Sequence, residues 1–119
     1  MTTTPLTIPC NTGDVVLVPF KFADTDDSKP RPAVIVSVQA FHDSRADAVM
    51  MALTGRQTRG YFGDCAIVDW QAAGLLMATT AKGVLRTIDR RLVHRRLGSL
   101  TATDLSRLRV SIRLILDLP

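Results

Sequence analysis

The chain has 119 residues, with fifteen Lys and Arg against eleven acidic residues and a formal net charge of +4 at pH 7. That length fits one domain able to bury its core without staples, and two widely separated cysteines, Cys10 and Cys65, exclude a CxxC or zinc-ribbon pattern. Twelve of the fifteen basic residues are arginine, a bias that favours phosphate-bearing partners over neutral ones.

Residues 1–12 read as a flexible segment with neither a basic leader nor the apolar centre of a signal peptide. No apolar stretch reaches the length of a membrane span, and buried free thiols fit a reducing compartment, so a cytoplasmic protein is expected. Gly13-Asp14 marks a turn, after which residues 15–20 form an apolar, β-branched first strand. The stretch 21–30, with Asp24, Asp26, Asp27 and Ser28, is too long and polar for a tight hairpin and reads as a mobile flap. A second strand spans 32–39. After a polar connection around Asp43-Ser44-Arg45, a third spans 48–54 and ends in the basic loop Gly55-Arg56-Gln57-Thr58-Arg59-Gly60.

A fourth strand is expected over 61–68, a helical turn over 69–74 stopped by Gly74, and a hairpin over 75–88 around Lys82-Gly83. Residues 90–96 read as a solvated basic connection. At 101–117 the period changes: Thr101 is a helix N-cap, Asp104 an acid at the third helical position, and Leu105, Leu108, Ile112, Ile115 and Leu116 recur on one face. Short strands with turn signals, followed by one amphipathic helix, predict a single domain over 1–119, mainly β with α, in which a small partly open barrel carries a C-terminal helix.

Within that frame Arg31 is the most informative position. In Lys29-Pro30-Arg31-Pro32 the two prolines hold Lys29 and Arg31 out of helix at the mouth of the second strand. A stiffly presented guanidinium suits phosphate, because its donor fork stays charged and matches paired oxygens. By pKa, His42 and His94 are the natural acid–base candidates, although His94 sits within the basic connection. Tyr61 and Phe62 are possible stacking surfaces for bases; Trp70 is assigned to the core.

Read together, Gly13-Asp14-Val15-Val16-Leu17-Val18-Pro19-Phe20 and Lys29-Pro30-Arg31-Pro32-Ala33-Val34-Ile35-Val36-Ser37 resemble the opening of the MazF/PemK family of toxin–antitoxin ribonucleases. Asp69-Trp70 with Ala73-Gly74-Leu75, then Leu85-Arg86-Thr87-Ile88-Asp89 and Leu97-Gly98-Ser99-Leu100, follow in the family's order, so the likeness covers nearly the whole chain. It implies an SH3-like barrel that forms a homodimer, cuts single-stranded RNA without a metal or other cofactor, and is neutralised by a cognate antitoxin. The family's catalytic Arg and Thr correspond here to Arg31 and Thr54, the latter in Leu53-Thr54-Gly55. Some members place an Arg and an Asp shortly before the "RTID" stretch; here that neighbourhood is Ala81-Lys82-Gly83, which contains no acid and leaves the proton-transfer partner unassigned.

Metal-free RNA cleavage uses the ribose 2′-hydroxyl as nucleophile, which is why DNA is spared. It needs charge stabilisation on phosphorus, assigned to Arg31, and a hydrogen bond to a phosphoryl oxygen, assigned to Thr54. Lys29, Arg56, Arg59, Lys82 and Arg86, on loops and strand ends expected to rim the same groove, are the candidate RNA contacts. Two other functions fit a fold of this size: a non-catalytic module that inhibits a protein target such as a topoisomerase, and a DNA-binding barrel, for which the sequence offers no recognition helix.

Overall fold

The computed structural model describes residues 9–20, 29–56 and 60–119. Six antiparallel strands make one sheet: β1 (Asp14–Pro19), β2 (Pro30–Ile35), β3 (Asp47–Thr54), β4 (Cys65–Ile67), β5 (Thr79–Asp89) and β6 (Arg95–Ser99), in the spatial order β4-β5-β3-β2-β1-β6. A short helix, α1 (Gln39–Ser44), joins β2 to β3; a 3-10 turn (Arg90–Leu92) joins β5 to β6; and α2 (Ala102–Leu116) follows β6. No helix among the described residues is long and apolar enough to cross a membrane.

Strand alternation sorts the apolar side chains into two layers. Val15, Val34, Met51, Leu53, Ala81 and Leu85 face α2, which supplies Leu105, Leu108, Ile112 and Ile115. Val16, Val18, Ala33, Ile35, Met50 and Ala52 face the other way and are buried with Phe20, Val84 and Ile88. Among the described residues no helix side chain packs into this second layer, which β1, β2, β3 and β5 share with Cys10 and Val93; the sheet curls into a half-barrel with this as its inner face. Each fully buried Val, Ile or Met side chain contributes about 1.5–3 kcal/mol. Both cysteines are free and buried, as expected.

The helix predicted at the end of the chain forms, with Thr101 Oγ1 accepting from Asp104 N at 3.2 Å. Leu108 is fully buried on its sheet-facing side, whereas Leu116, the last residue of the helix, is 52% exposed. The expected stretch 61–68 yields only the short β4. Its first half is instead a turn, with Asp64 N donating to Tyr61 O at 3.1 Å and Gly63 at φ +88, a conformation that favours glycine.

The hairpin expected around Lys82-Gly83 does not form. β5 runs straight through it, and the β3–β5 register shifts between Met51 and Leu53 to absorb the extra residues as a bulge. The real reversal lies upstream, where Gly74 ends the 69–74 turn as predicted, at φ +81. A Cβ there would collide with Leu97 O, so glycine is required for the turn to pack on β6. The second strand ends at Ile35, earlier than expected, and α1 occupies part of the predicted polar connection.

Residues 91, 92 and 94–96 are exposed, as expected, but the stretch is more than a connection: it holds the 3-10 turn and the start of β6. Arg90 donates to the carbonyls of His42, Arg45 and Ala46, Arg91 pairs with Asp89, and Arg96 pairs with Asp14 and Ser99 on the way into β6. Each of these partners is far away in the sequence or reached only through the sheet register, apart from Asp89 and Ser99, so a local reading sees only charge.

Candidate active site

The predicted catalytic pair lies on two adjacent strands, β2 and β3. β1 and β2 pair Val18 with Arg31; β3 and β5 pair Thr54 with Thr80; β2 and β3 pair Ala33 with Ala52. The β2–β3 pairing runs only as far as Ala33 and Ala52, and Arg31 and Thr54 each lie two residues beyond it at the same end. Alternation puts Arg31 on the face of Ala33 and Ile35, and Thr54 on the face of Met50 and Ala52, so both belong to the inner face. A row of half-buried polar side chains results, Thr80–Thr54–Arg31, at one end of the barrel.

Local chemistry fixes each member. Pro30 and Pro32 hold the strand start extended, and Arg31 Nε is shut off from solvent, which restrains the guanidinium plane. Thr54 Oγ1 accepts from Arg56 N at 3.2 Å, a turn-closing bond that leaves the hydroxyl hydrogen for another acceptor.

The predicted contact residues separate. Lys29 and Arg56 are exposed next to Arg31 and Thr54 in the chain, and Arg86 is exposed on β5 opposite Met50. Four residues along β3 separate Met50 from Thr54, so Arg86 lies about 13 Å further down the inner face. Lys82 is engaged: its Nζ pairs with Asp64 at 2.6 Å and sits 4.9 Å from the Tyr61 ring centroid. Arg59 and the flap residues Asp24, Asp26 and Asp27 lie outside the described residues.

Neither histidine joins the row through its ring. His42 is buried with Nε2 2.6 Å from Ser37 Oγ, and Ser37 Oγ also accepts from Val49 N at 2.9 Å, which ties α1 to β3. Burial first, and the Arg90 charge second, push the His42 imidazole below its ordinary value. His94 is exposed, and its backbone N–H donates to Leu17 O at 2.8 Å. Trp70 is partly buried against the core as expected, while Tyr61 and Phe62 are both exposed.

A family model for the PemK-like, MazF-like toxin of type II toxin–antitoxin systems matches residues 11–116. The chain belongs to this PemK/MazF toxin family. Solved structures agree in fold. The chain superposes on the Mycobacterium tuberculosis toxin MazF-mt6 with a TM-score of 0.72 at 18% identity, covering 89% of this chain and 98% of that one. An endoribonuclease from a mycobacterial species, in complex with its cognate antitoxin, gives 0.71 at 21% identity, covering 94% and 98%. MazF from Deinococcus radiodurans gives 0.72 at 20% identity, covering 91% and 96%. A search of curated protein sequences finds no match.

Two polar residues escaped the reading of the PemK/MazF pattern. Thr80, a second inner-face hydroxyl beside Thr54, had no local signal beyond being a threonine in a strand. No acid precedes Arg86 closely in the sequence, but Asp64 stands in that neighbourhood of the fold. It arrives from the other strand, because the β4–β5 register pairs Cys65 with Ala81 and so sets Asp64 against Lys82. Its carboxylate accepts from Lys82 Nζ, from Tyr61 N at 3.0 Å and from Gly83 N at 3.3 Å. Burial raises its pKa, but the Lys82 hydrogen bond and charge with the two backbone donors outweigh that and hold it below the ordinary aspartate value.

Proposed function

We propose that this PemK/MazF toxin is an endoribonuclease of the cytoplasm that cuts single-stranded RNA, messenger RNA included, without a metal. The ribose 2′-oxygen attacks the adjacent phosphorus, the bond to the 5′-oxygen breaks, and the products are a cyclic phosphate and a 5′-hydroxyl. In this reading Arg31 neutralises charge building on the phosphorane oxygens, and Thr54 donates its hydroxyl hydrogen to one of them. Lys29, Arg56, Arg59 and Arg86 hold neighbouring phosphates. The reading is supported by strand alternation from the Ala33–Ala52 pair, by which Arg31 and Thr54 fall on one face at one end of β2 and β3. A homodimer held in check by a cognate antitoxin is proposed with it; MazE–MazF complexes from Deinococcus radiodurans share the fold at a TM-score of 0.70 and 17% identity.

The test is cleavage of a long single-stranded RNA in EDTA, with product ends mapped. The parent is expected to leave 5′-hydroxyl ends, and Arg31→Ala to lose roughly 10²–10³-fold in rate with its fold intact. Arg31→Lys should not restore it, because an ammonium lacks the planar fork. An Arg31→Ala protein that cuts like its parent refutes the site. A parent that cuts no RNA but captures a protein target is the binding inhibitor instead.

A further inference from the structure

We infer that the turn carrying Tyr61 and Phe62 is a stacking platform for one unpaired nucleobase of the RNA strand held at Arg31 and Thr54. The inference rests on the ribonuclease reading and adds a base-recognition subsite to it. Tyr61 is 65% and Phe62 77% exposed, in a chain with only six aromatic residues. Exposed adjacent rings on a small protein mark a contact surface more often than a packing failure.

The platform is built and held. Asp64 closes the turn through Tyr61 N and draws in Lys82, whose ammonium lies 4.9 Å from the Tyr61 ring centroid. From below, Ile115 of α2 fills the space that a side chain at Gly63 would need. Tyr61, Phe62, Asp64, Lys82, Gly83 and Val84 line a pocket of about 360 Å³. Val84 belongs to the inner face, and alternation along β5 places Lys82 and Thr80 there with it. Two strand spacings separate β2 from β5 and two residues separate Thr80 from Lys82, so Lys82 at the pocket stands about 12 Å from Arg31 measured along the sheet.

The occupant follows from charge. Lys82 is neutralised by Asp64 at 2.6 Å, so the pocket is aromatic and carries no net charge, beside a row built for phosphate. An RNA strand offers that alternation, a charged backbone with a neutral flat ring attached, and base–aromatic stacking needs no particular base edge.

The experiment titrates a single-stranded RNA carrying 2-aminopurine into Arg31→Ala protein, alone and combined with Tyr61→Ala, Phe62→Ala or Tyr61→Phe. Expected are quenching of the base fluorescence on binding, and a loss of affinity of about 5- to 150-fold with loss of the quench for Tyr61→Ala and for Phe62→Ala. Tyr61→Phe should keep both, because the ring and not the hydroxyl stacks. Unchanged affinity and quench in the alanine variants overturn the inference, as does a shift in oligomeric state with RNA binding untouched, which would make the patch a protein contact. If the otherwise unsubstituted protein cuts no RNA yet binds it in a Tyr61-dependent way, the ribonuclease reading falls and the platform stands.

Discussion

Asp64 and His42 are buried to different ends. Asp64 keeps its charge because Lys82 and two backbone N–H groups surround it, and its folded pKa lies below the unfolded one. Its stabilisation is therefore present above the unfolded value of about 3.9 and lost as pH falls through the lower folded value. For His42 the folded pKa is also lowered, by burial and then by Arg90, against the smaller opposing pull of Asp43 and of the nearby Cys10 backbone. Here the unfolded chain binds the extra proton, so stability is complete above about 6.5 and falls on acidification below it. Urea midpoints at pH 7.5 and pH 5 should differ in the parent and differ less in His42→Gln, while Asp64→Asn should flatten only the limb below about pH 4. Equal pH dependence in parent and His42→Gln would mean that the imidazole does not titrate with folding. Arg31 was legible as a proline-locked strand start, and Thr54 through the family resemblance alone. Asp64 and Thr80 were not, since each gains its meaning from a strand that the sequence does not place beside it.

At the level of elements, α2 shows how a correct start signal can conceal a second duty. Thr101 caps it as its sequence predicts, but Asp104 does not reach back to close a capping box. It is 1% exposed and accepts from Val68 N at 3.1 Å and Asp69 N at 2.8 Å, with Arg107 at 3.2 Å, so the helix start pins the segment that follows β4. Asp104→Ala leaves two buried N–H groups without an acceptor and should cost on the order of 3 kcal/mol in chemical denaturation. A loss below about 1 kcal/mol would show that water replaces the carboxylate. The elements misread from the sequence share a cause. β6 is hidden in a run of exposed arginines until the sheet register brings Asp14 to Arg96, and α1, six residues long, is too short to show a period.

Across the whole molecule, cohesion and recognition occupy different regions. One apolar layer lies under α2, the other inside the curl, and the polar row sits at one end of the inner face. Much of the positive charge is spent internally, on Asp14, Asp47, Asp64, Asp89 and Asp104, so the net charge of +4 says less about RNA than Lys29 and Arg56 do. Measured against salt, RNA affinity should show a negative log–log slope. Lys29→Ala and Arg56→Ala should each reduce its magnitude by about 0.7, and Tyr61→Ala should leave it unchanged. Slopes indifferent to Lys29 and Arg56 would remove both from the phosphate path.

The two prolines of β2 have a consequence for how the sheet comes apart. Neither Pro30 nor Pro32 can donate to a neighbour, and the β2–β3 pairing starts only at Ala33 and Ala52, inward of Arg31 and Thr54. The mouth of the barrel can therefore gape there without breaking a rung, while Ala33 to Ile35 stay zipped to Met50 to Ala52. On the proposed ribonuclease reading, that end of the sheet is where the protein yields to an RNA strand with the least loss to its own ladder.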